Sequence, residues 1–308
     1  MPFFSVIIAL YNKENFVENT IKSVLAQHFS DFELIVVNDG STDNSEAKML
    51  SFSDPRLLYF SKPNEGVAAT RNFGIDKASA DFICFLDADD YWYPQFLEVM
   101  HRYIDQLPNQ KVFTCGVQIE TEKSSFPAQY SVAKTGDYEI VNYFEASSKK
   151  SIIWTSGVAL HRSVLKTVGV FDEQIKKGED TELWMRIGLQ FPVVFIWQIL
   201  ARYVYDHQSI SRGYHYFFEE YTFAKYEALE RENPLLKKFM DLNRFSACIK
   251  CKIIGNDPRA EELFRQIDAQ NLNWKKRILV RLPAGILKLL IRLKAILADC
   301  GLGKSVFR

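Results

Sequence analysis

The chain has no apolar run long enough to cross a membrane: its longest uncharged stretch, Ile187 to Ala201, is interrupted by Pro192 and falls short of the roughly 20 residues a spanning helix needs. It also lacks the basic start and cleavage site of a secretory leader, since Met1-Pro2-Phe3 leads straight into an apolar segment, so a cytoplasmic protein is expected. Its five cysteines, Cys84, Cys115, Cys248, Cys251 and Cys300, are odd in number, which argues against a disulfide framework and for a reducing compartment. The Cys248-x-x-Cys251 pair has no second pair to complete a zinc site and sits in helical surroundings, so it reads as incidental. No repeat and no low-complexity tract is present. No Gly-rich signature with a basic residue stands near the start to grip a triphosphate: Ser5 to Asn12 contains none, which weighs against a nucleotidyltransferase.

Formal net charge is also absent, yet the charges are not evenly spread. From Trp274 to Arg308 there are nine Lys or Arg against the single acid Asp299, leaving 29 basic and 37 acidic residues upstream. In this tail Arg277, Arg281, Lys288 and Arg292 form one helical stripe, while Ile278, Leu282, Ile286, Leu289, Leu293 and Ile296 line much of the other side. That is the pattern of an interfacial helix on anionic lipid; docking onto the chain's own acidic body is the alternative. Pro283 should divide the stretch into two helices, and Lys294 intrudes on the apolar side. Nucleic acid is excluded as a partner because aliphatic residues interleave the basic ones and only Trp274 and Phe307 offer stacking faces.

The rest is rich in short apolar runs with polar ends. Phe4 to Leu10 ends at Tyr11-Asn12, Phe32 to Val37 at Asn38-Asp39-Gly40-Ser41, and Phe82 to Leu86 at Asp87-Ala88-Asp89-Asp90. Between the first two, Phe16, Thr20, Val24 and Leu25 recur at helical spacing, and Glu65 to Ala78 is a Gly- and Ala-rich helical stretch. Strands alternating with helices imply an α/β fold with a parallel sheet and crossover helices. In such sheets ligands bind beyond the carboxyl ends of the strands, where these polar residues fall. The Asp87-x-Asp89 spacing suits Mg²⁺ or Mn²⁺, hard ions held by one or two carboxylates plus substrate phosphates, although a solvated acidic turn has the same sequence. From Tyr214 to Asn273 helices are expected, with Phe217, Tyr221, Ala224 and Leu229 periodic and breaks at Asn233-Pro234 and Asn256-Asp257-Pro258.

These residues resemble those of family 2 glycosyltransferases of GT-A fold. The resemblance is carried by Ser5 to Asn12, Val37-Asn38-Asp39-Gly40-Ser41-Thr42-Asp43, Asn64-Glu65-Gly66 with Arg71-Asn72, Leu86 to Asp90 and Gly178-Glu179-Asp180, in the family's order over roughly residues 4 to 212. It implies a catalytic domain over 1–212; the helical pattern then makes 213–273 an extension packed on it, and the charge pattern makes 274–308 a basic tail. It implies an inverting, metal-dependent transfer from a UDP-sugar to a glycan or lipid-linked acceptor, in bacterial envelope polysaccharide or lipopolysaccharide synthesis. A non-catalytic sugar-nucleotide-binding protein is the alternative.

Donor contacts then fall on Ala9, Tyr11, Asn12, Asp39, Arg71, Asp87, Ala88 and His207, with Asp39 taking the uracil ring and Asn38 contributing by amide where the family often has an acid. Metal contacts fall on Asp87, Asp89 and His207. Arg71 reaches a diphosphate or a ribose-facing carboxylate, or is a surface arginine. Asp90 is a helix N-cap or a supporting acid. Asp180 is the base, against the plainer reading of an N-cap acid. Trp154 floors an acceptor pocket, or belongs to the core.

Overall fold

The structure, a computed structural model, describes residues 1–122, 124–204 and 220–299. The chain divides into two compact units, Met1–His207 and Gln208–Arg308.

The first unit opens as β1 (Phe4–Leu10), α1 (Val17–Leu25), β2 (Phe32–Asn38), α2 (Ser45–Leu50), β3 (Leu57–Ser61), α3 (Val67–Lys77) and β4 (Phe82–Phe85). Here β3, β2, β1 and β4 lie side by side and parallel, with Phe4 opposite both Phe32 and Phe82. β1, β2 and β4 are apolar almost throughout, as strands covered on both faces must be. Helix α1 turns Val17, Thr20, Ile21 and Val24 inward and leaves Glu18 and Lys22 outside as an ion pair one turn apart. Because β2 and β4 flank β1 on opposite sides, the strand order reverses at β1, and the crevice there opens at the strands' carboxyl ends.

The chain continues as β5 (Tyr91–Trp92), α4 (Phe96–Gln106), β6 (Val112–Glu120), β7 (Ser125–Pro127), β8 (Tyr138–Val141), α5 (Tyr143–Ala146), β9 (Val158–His161), α6 (Arg162–Val168), α7 (Glu179–Gly188) and β10 (Val193–Val204). The sheet runs β3-β2-β1-β4-β9-β6-β10-β5, with β7 on β6 and β8 on β10. β9 is antiparallel to both β4 and β6, while β6 and β10 are parallel. Trp92, fully buried, stacks on Phe96 at 3.9 Å between ring centres and anchors this half.

The second unit holds α8 (Glu220–Glu232), α9 (Pro234–Ile254), α10 (Asp257–Gln266), α11 (Trp274–Leu279) and α12 (Ala284–Asp299). Its centre is a charge cluster. Arg244 pairs with both oxygens of Glu230 at 2.6 Å, and Asp241, also paired to Lys237, accepts from the Asp268 amide and the Asn271 side chain. Every member is satisfied, the condition on which buried charge is tolerated. The cluster also corrects the expected face of α8: Ala224 and Leu229 are exposed, and Phe223, Tyr226 and Glu230 point inward. The helix is rotated so that Glu230 meets Arg244. Phe217 lies outside the described residues, as does the side chain of Tyr221. Cys248 and Cys251 are buried and free, packed as small apolar groups.

The tail breaks at Pro283 as expected. Val280 and Leu287 are its buried anchors, and Lys252 of α9 donates to the carbonyls of Val280 and Leu282 beside the break. Among the described residues no helix is long and apolar enough to cross a membrane.

Candidate active site

The loop after β1 is sewn to the loop after β2. Asn12 adopts a left-handed backbone (φ 49) that asparagine tolerates better than most residues. Its amide N–H donates to Ser41 Oγ (3.1 Å), and its side-chain oxygen accepts from the Thr42 amide (2.8 Å). The next residues continue the seam, the Lys13 amide donating to Ser45 Oγ (2.7 Å) and the Glu14 amide to Asp43 Oδ2 (3.0 Å). Ala9 lies half-buried at the strand end, and the Tyr11 ring stands exposed at the crevice.

Asp39, on the next strand end, is buried and does structural duty. It accepts from Lys62 Nζ (2.6 Å) and from the backbone amides of Glu65 (3.0 Å) and Gly66 (2.9 Å). Gly66 holds φ 98, which glycine alone adopts cheaply, and opens α3. Burial pushes the Asp39 carboxyl up, but these donors outweigh it and hold it below the ordinary value. The Thr70 hydroxyl adds to the same pull. Asn38, expected to offer its amide to a base, donates to Tyr59 Oη (3.1 Å) and accepts from the Ser41 amide (3.0 Å). These bonds shape the turn.

Helix α3 carries Arg71 inward. Its guanidinium reaches Asp87 Oδ1 at 2.7 Å and Glu179 Oε1 at 2.8 Å, with the Phe171 ring 5.2 Å away. Arg71 is thus a buried bridge between two carboxylates, not a surface arginine. Asn72 braces the same region by exchanging hydrogen bonds with the Phe171 backbone.

The Asp87 to Asp90 turn is fixed from several sides. Ser156, in a 3₁₀ turn over Thr155–Gly157, accepts from the Asp87 amide (3.1 Å) and donates to Asp90 Oδ2 (2.5 Å), while its carbonyl accepts from Trp92 Nε1 (2.6 Å). Thr20 donates to the carbonyls of Ala88 and Asp90. Asp90 is not a helix cap. β5 follows it, α4 starts with Gln95 at its N-cap and no side-chain cap, and the second Asp90 oxygen takes the Val204 amide at 3.0 Å. Burial, then the neighbouring Asp89 and Asp87, push its carboxyl well above the usual range. Asp89 is more open; it pairs with Lys13 Nζ at 2.6 Å. Its carboxyl is also raised, by burial and Asp87 against the pull of Lys13.

Asp180 is not an N-cap either. Gly178, in a left-handed conformation, occupies that position, and Asp180 lies in the first turn of α7, accepting from the Thr181 amide (2.6 Å). It keeps a window to solvent although protein crowds it on most sides. Burial pushes its carboxyl up; Arg71 and the Thr181 amide pull it down, and Asp87 adds to the rise. Glu179 is raised by burial and by Asp180, opposed by Arg71. Trp154 lies half-buried against Tyr203 (5.3 Å). His207 falls outside the described residues.

Sequence reasoning passed over Lys13, Lys62, Ser156 and Glu179. Glu179 sat inside a quoted motif, Ser156 lies two residues past Trp154, and Lys62 lies one residue past a strand and three before Glu65. Among the described residues no group of three or more His, Cys, Asp or Glu gathers as a ready-made metal cage. Asp87 and Asp89 would supply two carboxylates from one turn, the share that a hard divalent ion commonly takes from protein.

With that geometry in view, the sequence model described as "Glycosyl transferase family 2" matches residues 5–169, more than half of the chain. The chain belongs to glycosyl transferase family 2. An uncharacterized glycosyltransferase of Rickettsia typhi (strain ATCC VR-144 / Wilmington) is 31% identical over 68% of this chain and 66% of its own length. Glycosyltransferase GlyA of Streptococcus pneumoniae serotype 4 is 28% identical over 75% of this chain and 34% of its own length. The chain therefore spans only part of the curated relatives it matches. In fold it is similar to S. aureus TarS 1-349, crystallised in complex with UDP-GlcNAc, with a TM-score of 0.71 at 18% identity over 87% of this chain and 82% of that one. This is the GT-A architecture: a mixed sheet with a parallel half, flanked by helices, and a helical carboxyl-terminal region.

Proposed function

We propose that this chain is an inverting glycosyltransferase that moves a sugar from a UDP-sugar to a glycan or lipid-linked acceptor. The observation that carries this reading is the Arg71 bridge, which brings the Asp87-x-Asp89 turn and the Glu179-Asp180 helix start into one acidic cluster at the strands' carboxyl ends. Asp180 is the general base. Partly exposed and not spent on an ion pair, it takes the proton of the attacking acceptor hydroxyl, and a single base in a direct displacement inverts the anomeric carbon. Asp39 takes a uracil N–H, Tyr11 offers its ring to the base, Ala9, Asn12 and Ala88 line the nucleoside, and Asp87 faces the ribose. Asp89, with Asp87, would hold a Mn²⁺ or Mg²⁺ ion, which supplies positive charge to the departing diphosphate. Arg71, with both ends on carboxylates, orients Asp87 and Glu179 and moderates the charge on Asp180. The similarity to TarS, whose crystals held UDP-GlcNAc and UDP, supports UDP as the nucleotide.

The tail gives this reading a place. Trp274 (67% exposed), Ile278, Ile286, Leu289 (56%) and Leu293 stand out beside Lys275, Arg281 and Lys288. An apolar ridge with basic flanks matches an anionic lipid surface, and peripheral attachment to the inner face of a cytoplasmic membrane would suit a lipid-linked acceptor in envelope polysaccharide or lipopolysaccharide assembly.

The test is calorimetric titration of UDP and GDP with and without Mn²⁺, beside Asp89→Ala. UDP binding that requires both the ion and Asp89 supports the donor site; binding of neither nucleotide favours a fold kept for another purpose.

A further inference from the structure

Three carboxylates crowd the turn after β4, and their partners differ in kind. Asp87 is held by the planar guanidinium of buried Arg71, and Asp90 by a hydroxyl and a backbone amide. Asp89 alone of the three is paired with a lysine, whose point charge rides on a rotatable four-carbon stem. The pair is partly open, with 21% of the Lys13 side chain and 15% of the Asp89 side chain exposed.

The lysine is not placed by chance. Its own amide is tied to Ser45, the Glu14 amide to Asp43, the Asn44 amide to Glu14 Oε2 (2.9 Å), and Lys48 Nζ to the Glu14 carbonyl (2.7 Å). The Phe16 ring flanks the ammonium at 5.6 Å. A backbone held by these bonds thus presents a lysine ammonium to Asp89.

We propose that Lys13 is an electrostatic gate on the metal site. Before the donor arrives, its ammonium is the counter-ion of Asp89 and opposes a divalent ion there. When a nucleoside diphosphate arrives, the ammonium turns to the phosphate oxygens and releases Asp89 to the ion. Metal and nucleotide then bind with positive coupling, and by linkage each raises the other's affinity by the same factor. This role rests on the reading of the crevice as a metal-dependent nucleotide-sugar site.

The experiment measures Mn²⁺ binding to the full chain by the electron paramagnetic resonance of the free ion, at fixed ionic strength, with and without UDP. In the absence of nucleotide Lys13→Met should bind Mn²⁺ about tenfold more tightly than wild type, the scale of removing one charge at close range in a partly screened site. The coupling between Mn²⁺ and UDP should shrink by a similar factor. Lys13→Arg should stay as weak as wild type, and adding Asp89→Asn to Lys13→Met should erase the gain. Unchanged Mn²⁺ affinity in a folded Lys13→Met protein overturns the gate, as does a gain that survives Asp89→Asn. If wild type binds UDP with Mn²⁺ and only these variants fail to respond, the gate falls and the donor site stands. If wild type binds neither, both fall.

Discussion

Asp180 and Asp90 are carboxylates of opposite temperament. Both are pushed upward by burial, but Asp180 keeps a window to solvent while Asp90 has both oxygens committed. A base works only when deprotonated, so the rate should rise with pH through the raised Asp180 value, placing the acid limb of kcat/KM above that of an ordinary aspartate; a pH–rate profile checks this. Asp180→Asn should leave UDP affinity intact and cut turnover by about 10²- to 10⁴-fold, the usual weight of a general base. Ser156→Ala removes the donor to Asp90 and the acceptor of the Asp87 amide, and should cost about 1–3 kcal/mol in urea unfolding. Since the folded Asp90 carboxyl is raised, its contribution is fullest when protonated and is lost as pH climbs through that raised value. Asp39, held low, contributes above its unfolded value and loses that contribution as pH falls. The acidic turn was legible because an apolar strand points at it. The role of Asp90 was not, since Ser156 lies 66 positions away.

At the scale of elements, α7 carries Glu179 and Asp180 at one end and Gly188 at the other. A Cβ on Gly188 would sit 2.5 Å from Tyr143 Cβ of α5, a contact no real side chain makes. Gly188→Ala should therefore shift the helix, cost about 1–3 kcal/mol, and lower turnover more than UDP affinity; a denaturant melt and a kcat measurement beside nucleotide titration separate the two effects. The strands β1, β2 and β4 were legible from apolar runs alone. The arrangement of the other half was not: β9 enters between β4 and β6 antiparallel to both, and β10 shifts register twice against β6. These choices are made by pairing partners far along the chain, which local periodicity does not encode. The face of α8 was misread for a similar reason, because a buried Glu230 contradicts the rule that acids face water.

Across the whole molecule the charge is split, nine basic residues to one acid from Trp274 onward against an acidic excess upstream. The full chain should sediment with vesicles rich in anionic lipid and not with neutral ones. Added salt should weaken the attachment, and joint substitution of Lys275, Arg281 and Lys288 by Glu should abolish it, with Mn²⁺-dependent UDP titration unchanged. The Arg71 bridge has its own consequence at this scale. Its two acids are spaced unequally along the chain, Asp87 16 residues away and Glu179 108. During synthesis the guanidinium can therefore meet its first acid long before the second is made, and a chain cut short ahead of Glu179 would carry the arginine with one anchor instead of two.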